Sequence, residues 1–431
     1  MSRNYDPFFK GTEAHRRNAR WFAELWARFG YTAGVHLRRM HYQVLATGQR
    51  TATGEPYENT EGCFHDLCVA GSEARILGLV DPEAFDDRRN PPAHLHIQPR
   101  EHAPEPAAGW MPPWWELPAL DPDALSDQID FELAGPAITG YDYHPDDQPV
   151  LLEVWIEKTT MDDVLVPLCR ELRANLVRAA GFESITAVVG LLRRAERHGK
   201  PAHVLYASDF DPAGAIMPVA VARQAEFWRE QLGIDVELTI EQVALTASQV
   251  TAYDLPHVPI KESDRRKARF EARNGQGAVE LEALHPGVLA ETVLHAIQPY
   301  VDPDLERRAG RTRWNAEGLL RSKWERATGQ VRADLEALED EVAGIVGRYR
   351  SQLEQIADRL DTDLAPYRER LERLGAEAER IARETVGEIE LPPRPAPAEP
   401  DVDRSRLLFD SERHWWEQYR AFKTWQGKDA S

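Results

Sequence analysis

The stretch Val204-Leu205-Tyr206-Ala207-Ser208-Asp209-Phe210-Asp211-Pro212-Ala213-Gly214 constrains this chain more than any other. An apolar run of β-strand character stops at two acids spaced i, i+2. It then turns through Pro212 and Gly214 into a helical pattern that begins near Ile216. Alternate residues of a strand share a side, so at the carboxyl edge of a parallel sheet Asp209 and Asp211 aim their carboxylates together. Paired hard oxygen ligands suit Mg²⁺, which takes one or two carboxylates and keeps waters or substrate phosphate for the rest. A third acid comes from upstream, where the run Leu151 to Ile156 ends in Glu157-Lys158 ahead of another helical pattern.

Residues 148–305 alternate strand and helix. The Leu151 strand is followed by a helix from about Met161 to Ala180. A strand at Ser184 to Val189 and a helix from Leu191 to His198 come next. The Asp209/Asp211 strand has a helix running to Gln231, and a fourth strand covers Asp235 to Ile240. This order predicts an α/β fold with a parallel sheet and right-handed crossovers, the acids lying together at its carboxyl edge.

The 431 residues are enough for two or three domains. A net charge of −20 argues against a protein that coats nucleic acid nonspecifically. It leaves room for a DNA enzyme whose charge is segregated. Cys63, Cys68 and Cys169 fit neither a disulfide framework nor a zinc spacing. With no membrane-length apolar run and no signal-peptide core, the expected setting is the cytoplasm, with no membrane partner. His94, His96 and His102 are too irregularly spaced for a metal site.

Residues 1–50 are basic within this acidic chain. Trp21, Phe22, Leu25, Trp26 and Phe29 mark an amphipathic helix closed by Gly30. A second helix covers Val35 to Leu45 and ends at Gly48, and a third runs from Cys63 to Leu77. Three short helices with basic residues on the second suit a helix-turn-helix or winged-helix module, while composition alone favours a small helical cap with no ligand.

Two sets of residues carry a resemblance. Glu157 at one strand end, then Asp209-x-Asp211-Pro212-x-Gly214 at a later one, resembles the Toprim domain, the Mg²⁺-binding module of topoisomerases, primases and related nucleases. Arg38-Arg39-Met40-His41-Tyr42 resembles the nucleophile-bearing winged helix found in the DNA-cleaving chain of topoisomerase VI and in the related enzyme that makes meiotic double-strand breaks. Asn59-Thr60, Ala74 to Val80 and Asp87-Arg88-Arg89 fit bacterial and phage members of that group. The resemblance covers about residues 30 to 300. It implies a Mg²⁺-dependent enzyme that cleaves double-stranded DNA as a homodimer. Tyr42 would be the nucleophile, Arg38 would hold the phosphate, and Glu157, Asp209 and Asp211 would be the metal ligands. His41 could take the tyrosine proton or stabilise the phenolate. Glu280 or Glu282, in a stretch like the one that follows the Toprim core in that family, could support the site.

The domains expected are 1–105, winged-helix-like; 106–147, a Pro/Trp-rich linker; 148–305, Toprim; 306–390, helical and coiled-coil-like; and 391–431, a Pro-rich linker with an aromatic terminal helix. The basic run Lys261, Arg265, Arg266, Lys267, Arg269 and Arg273 reads equally as a solvated face balanced by Glu262, Asp264 and Glu271 or as a DNA backbone contact. From Val331 to Ile381 apolar residues recur in steps of three and four, the pattern of a long amphipathic helix or a helical hairpin that Pro366 kinks or divides, with coiled-coil self-association expected rather than a ligand site.

Three functions follow. The first is a transesterase with a tyrosyl-DNA intermediate, partnered by a separate ATPase subunit, since the chain carries no Walker A string. The second is a hydrolytic Toprim nuclease in a bacterial defence system against plasmids or phage, with a further protein of that system as partner. The third, a non-enzymatic DNA-binding scaffold, is hard to square with an intact acid triad.

Overall fold

The computed structural model describes residues 6–86, 91–117, 130–178, 184–349 and 357–428. They are mixed α/β and form two compact units. One comprises Met1–Arg100, Pro145–Asp302 and Ala398–Ser431, and the other Glu101–His144 and Pro303–Pro397. Asp87-Arg88-Arg89 lies outside the described residues, as do Ala180, Asp121, Pro122, Leu353 and Ile356.

The first unit begins with helices α1 (Glu13–Arg28), α2 (Leu37–Ala46) and α3 (Glu61–Ile76), close to the bounds expected. The side chains of Thr12 and Thr60 cap α1 and α3 by accepting from the amides of His15 and Cys63. Gly30 and Gly48 follow α1 and α2 at φ of +66° and +60°, a left-handed conformation that costs glycine nothing. Phe22, Trp26, Met40, Leu67 and Phe85 form the core of this part.

The sheet follows, built from β1 (Leu151–Ile156), β2 (Asn175–Arg178), β3 (Ala202–Ala207) and β4 (Leu238–Ala244). Helices α4 (Asp162–Glu171), α5 (Ile185–His198) and α6 (Met217–Leu232) connect them. Beyond β4 come α7 (Ala247–Ala252), α8 (Lys267–Asn274) and α9 (Pro286–Ile297). A fifth strand, β5 (Phe409–Asp410), arrives from far down the chain. The order across the sheet is β2-β1-β3-β4-β5, parallel except for β5, which pairs antiparallel to β4 through Thr239↔Asp410 and Ile240↔Phe409.

One expected strand is a helix. Ser184 to Val189 forms the cap and first turn of α5, and the second strand is Asn175–Arg178, inside the helix expected over 161–180. The β-branched residues of that stretch suggest a strand. However, Ile185, Val188, Val189, Leu192 and Ala195 recur at helical spacing and are all buried. Ser184 settles the start, its hydroxyl accepting from the Ala187 amide at 3.1 Å. Ser184→Ala should therefore cost about 1 kcal/mol, read as a lower urea midpoint with unchanged slope.

Both faces of the sheet are covered, which is why β1 and β3 read as continuous apolar runs. Leu151, Trp155, Val204 and Tyr206 pack against residues of α5 and α6. Leu152, Val154, Ile156 and Leu205 pack with Leu165 and Cys169 of α4 and Leu289 and Val293 of α9. The exception in β1 is Glu153, which is completely buried. Arg194 of α5 grips it with Nε at 2.6 Å from Oε1 and Nη2 at 2.8 Å from Oε2. Trp155 Nε1 and Asn175 Nδ2 complete its partners at 2.9 and 3.3 Å. Burial alone would raise this carboxyl's pKa; Arg194 and these hydrogen bonds outweigh burial and hold it below the usual range.

In the second unit, Ala107–Gly109 pairs antiparallel with Ala137–Thr139, and three helices follow at Leu305–Ala327, Gly329–Tyr349 and Ala357–Gly387. The last runs through Pro366 without dividing. The apolar stripe, including Leu335, Leu338, Val342, Leu364, Leu371 and Ala378, is buried within this unit together with Phe131, Leu133 and Trp324. Within one copy of the chain, the helices Gly329–Tyr349 and Ala357–Gly387 bury this stripe against each other, the arrangement of a helical hairpin. Residues expected to form a linker take part in the same unit: Trp110 and Trp115 pack on the helical core, while Trp114 is 84% exposed. The Pro-rich segment near residue 392 is tied down by Tyr141 Oη, which donates to the Pro392 carbonyl at 2.6 Å, and by Arg308, which donates to that of Ala396 at 2.9 Å. Among the described residues no helix is long and apolar enough to cross a membrane.

Candidate functional site

The sheet order fixes where a site can form. The chain moves outward from β1 to β2, returns across β1 to β3, and then continues to β4. The direction of winding reverses between β1 and β3, and in open α/β sheets ligands bind in the crevice outside the carboxyl ends of such a strand pair. Ile156 pairs with Ala207, so Glu157 leaves β1 level with Ser208, about 4.8 Å across the sheet.

The turn after β3 explains the spacing of its motif. Asp211 Oδ1 accepts from the amides of Ala213 at 2.8 Å and Gly214 at 2.5 Å, holding the chain in a tight loop before α6. Ser208 Oγ donates to the Gly214 carbonyl at 3.1 Å. A Cβ on Gly214 would lie 2.0 Å from the Asp209 carbonyl oxygen, a backbone atom with nowhere to move. Glycine is required here by close approach rather than by its φ.

A third segment joins the edge. Phe210, between the two aspartates, exchanges both backbone hydrogen bonds with Val279, each at 2.9 Å. The Leu281 amide donates to Asp209 Oδ1 at 2.8 Å. These bonds bring Glu280 and Glu282 to the acids of β3. One carboxylate oxygen each from Asp209, Glu280 and Glu282 lie within 4.8 Å of one another. Glu157 and Asp211 flank this trio rather than belong to it, so the ligand set expected from the sequence is only partly the set the fold gathers.

One ammonium stands among these acids. Lys158 Nζ lies 2.9 Å from Asp209 Oδ2 and 3.0 Å from Glu282 Oε2, and pairs also with Glu280. Thr160 Oγ1 donates to the other oxygen of Glu282 at 2.7 Å. Burial opposes the charge on Lys158, but its bonds to Glu280, Asp209 and Glu282 outweigh burial and hold it protonated far above the ordinary lysine range. Burial raises the pKa of Asp209 despite the Leu281 amide and Lys158.

Glu157 is pushed up to about 7, first by burial, then by repulsion from Asp209 and Asp211. Among the described residues it has no hydrogen-bond or ion-pair partner. Tyr206, wholly buried and with its hydroxyl unpartnered, also feels the charge of Glu157. An acid raised in the folded state favours that state while protonated. This contribution is fully present below the unfolded value near 4.5 and is lost as pH rises through about 7. Glu157→Gln should therefore match wild type in Tm near pH 4, exceed it increasingly as pH rises to about 7, and hold a constant lead above that, in EDTA. A Tm difference that does not change with pH would rule this out.

The trio could hold a metal ion: each residue offers a carboxylate oxygen, with no thiol or imidazole among them, and the three oxygens lie within 4.8 Å of one another. Five carboxylates (Glu157, Asp209, Asp211, Glu280 and Glu282) face one ammonium, an imbalance that a divalent cation would relieve.

Tyr42 sits on α2, 56% exposed, with Arg38 one turn before it and also exposed. The Arg38 guanidinium lies 5.7 Å from the centre of the Phe64 ring. His41 is buried, with Nδ1 2.7 Å from Tyr57 Oη and Nε2 3.2 Å from Asn59 Oδ1. Both ring nitrogens are engaged away from Tyr42, so His41 shapes the helix face and is not placed as a base for its neighbour. In the basic run, Arg266 pairs with Asp264 and Lys267 with Glu262, while Lys261, Arg265 and Arg269 are exposed. Phe270 of the same helix packs its ring 5.3 Å from that of Phe210, in the middle of the Asp motif.

Glu280 and Glu282 are legible in the sequence without a choice between them, whereas Lys158 is not singled out there as a site residue. The signal for Lys158 is its position beside Glu157 at the strand end. Compared with known proteins, the chain matches no family model and no curated protein.

Proposed function

We propose that this chain is a Mg²⁺-dependent DNA-cleaving enzyme of the type found as the cleaving chain of topoisomerase VI, working in the cytoplasm as a homodimer on double-stranded DNA. The observation that carries the reading is the gathering of Asp209, after β3, with Glu280 and Glu282, flanked by Glu157 at the end of β1, at the point where the sheet reverses its winding. In Toprim terms, Glu157, Asp209 and Asp211 would be the metal ligands, Asp209 being shared with the Glu280–Glu282 cluster that the other two flank. Bound there, Mg²⁺ would supply positive charge to the scissile phosphate and to the leaving oxygen.

The chain's own residues do the rest. The Tyr42 hydroxyl attacks phosphorus, forming a tyrosyl ester to the 5′ side as the bond to the 3′ oxygen breaks. The phenolic proton passes to solvent and the 3′ oxygen leaves as a hydroxyl. Arg38 offers its guanidinium to the phosphate and the developing phenolate charge. Lys261, Arg265 and Arg269 supply backbone contacts. In the resembled family the tyrosine of one protomer meets the acids of the other, which is why a homodimer is part of the proposal, and a separate ATPase subunit would be needed for strand passage.

A second reading, hydrolysis by a Toprim nuclease of a defence system, is favoured by one observation. Among the described residues no base is hydrogen-bonded to Tyr42, since His41 is spent on Tyr57 and Asn59. Trapping with detergent separates the two readings. End-labelled duplex DNA incubated with the protein and Mg²⁺, then quenched with SDS, should yield protein attached to 5′ ends with free 3′ hydroxyls. Cleaved DNA bearing free 5′ phosphates and no attached protein would establish hydrolysis in its place.

A further inference from the structure

The side chain of Lys158 has an arrangement that the metal-site reading does not use. It follows Glu157 directly, yet its ammonium is committed to the opposite members of the cluster: Asp209 at 2.9 Å, Glu282 at 3.0 Å, and Glu280. Those three acids are the ones whose oxygens gather within 4.8 Å. An ammonium with three donors, placed among three converging carboxylates, occupies the position a divalent ion would take. It also links the segment after β1 to the segment carrying Glu280 and Glu282, a link that Thr160 reinforces through Glu282.

We propose that Lys158 is a tethered counter-ion that keeps the acid cluster closed and must be displaced for a divalent cation to enter. The inference rests on the metal-site reading above and deepens it: metal affinity is set by competition with a residue of the chain itself. Two physical arguments lead there. Carboxylate oxygens within 4.8 Å of one another repel when no cation stands between them, so a resident cation preserves the site's shape before metal arrives. A lysine has a flexible four-carbon stem and can swing away, whereas a metal ligand fixed on the backbone cannot. The side chain keeps 27% exposure, which leaves it a path to solvent. Lys158 is in this sense a positioning residue: it orders Asp209, Glu280 and Glu282 and yields to the ion.

The test uses Mn²⁺ as the probe, followed by electron paramagnetic resonance on the full chain without DNA. Lys158→Met should bind Mn²⁺ at least tenfold more tightly than wild type, and Lys158→Arg, which keeps the charge, should stay within about threefold of it. Asp209→Asn should lose the site. If wild type binds Mn²⁺ but Lys158→Met binds no more tightly, displacement is overturned and the metal-site reading survives. If neither wild type nor Lys158→Met binds Mn²⁺, the metal-site reading falls and takes this inference with it. A second measurement avoids reliance on the variant's folding. Reductive methylation of the wild-type chain, mapped by mass spectrometry, should label Lys158 several-fold faster with saturating Mn²⁺ than in EDTA. Equal or slower labelling with metal overturns the proposal.

Discussion

Asp209→Asn is expected to lower Mg²⁺-dependent DNA cleavage by at least about a thousandfold, the scale of removing a preorganised charge stabiliser from an active site, while leaving the fold intact. Asparagine keeps the oxygen that accepts the Leu281 amide, so the link to the Glu280 segment persists. What disappears is the negative charge that Lys158 now neutralises and that a metal would take over. Tyr42→Phe belongs to the same experiment. It should abolish the covalent protein–DNA adduct altogether, because phenylalanine has no oxygen with which to form the ester. Tyr42 is 56% exposed, so its loss should shift the melting temperature little. Adduct assays, nicking of supercoiled plasmid and thermal melts on both variants give the pattern. Full nicking activity in Tyr42→Phe with none in Asp209→Asn would transfer the chemistry to water and favour the nuclease. Undiminished activity in Asp209→Asn would remove the acids from the mechanism.

Arg194→Ala should destabilise the first unit by about 3–5 kcal/mol, the cost of leaving one partner of a buried ion pair uncompensated. Glu153 has no exposure to water, and Arg194 supplies two of its short hydrogen bonds. Trp155 and Asn175 cannot by themselves neutralise it. In the truncated variant, Glu153 must stay charged in the sheet or take up a proton. Stability should then fall more steeply as pH rises from 5 to 8 than it does in wild type, where Glu157 already contributes a decline. The double variant Glu153→Leu/Arg194→Leu should recover most of the loss, because a packed apolar pair avoids the desolvation of both charges. Urea denaturation at two pH values decides it. A loss below about 1 kcal/mol would mean that the pair is solvated rather than buried.

Asp209, the member of the gathered trio expected as a ligand, could be read from the sequence because it sits where a strand stops. Glu157, Asp209 and Asp211 each follow an apolar run, and the position of a strand end survives errors elsewhere. The winding was harder. Asn175–Arg178 is four residues long, with too few alternations to show a period, and the neighbouring β-branched stretch drew the strand assignment toward residues that Ser184 caps into a helix. Glu280 and Glu282 carry no periodic signal because they lie around a short 3-10 turn. Their place is fixed by the pairing of Phe210 with Val279, a contact between segments far apart in sequence. The role of Lys158 depends on which way one side chain turns. The apolar stripe beyond Val331 was legible as helix, but whether such a stripe meets its own chain or another copy is not encoded in its period.

The fifth strand has a consequence for how the chain matures. Phe409 and Asp410 cover the first half of the outer rim of β4, pairing with Ile240 and Thr239, with Leu408 and Phe409 plugged into the same hydrophobic interior. During synthesis that rim stands open until the ribosome has produced the whole intervening helical segment. An open rim of backbone donors and acceptors invites pairing with other nascent chains. Truncations that remove Phe409 and Asp410 should accordingly show up as poor yield of soluble protein.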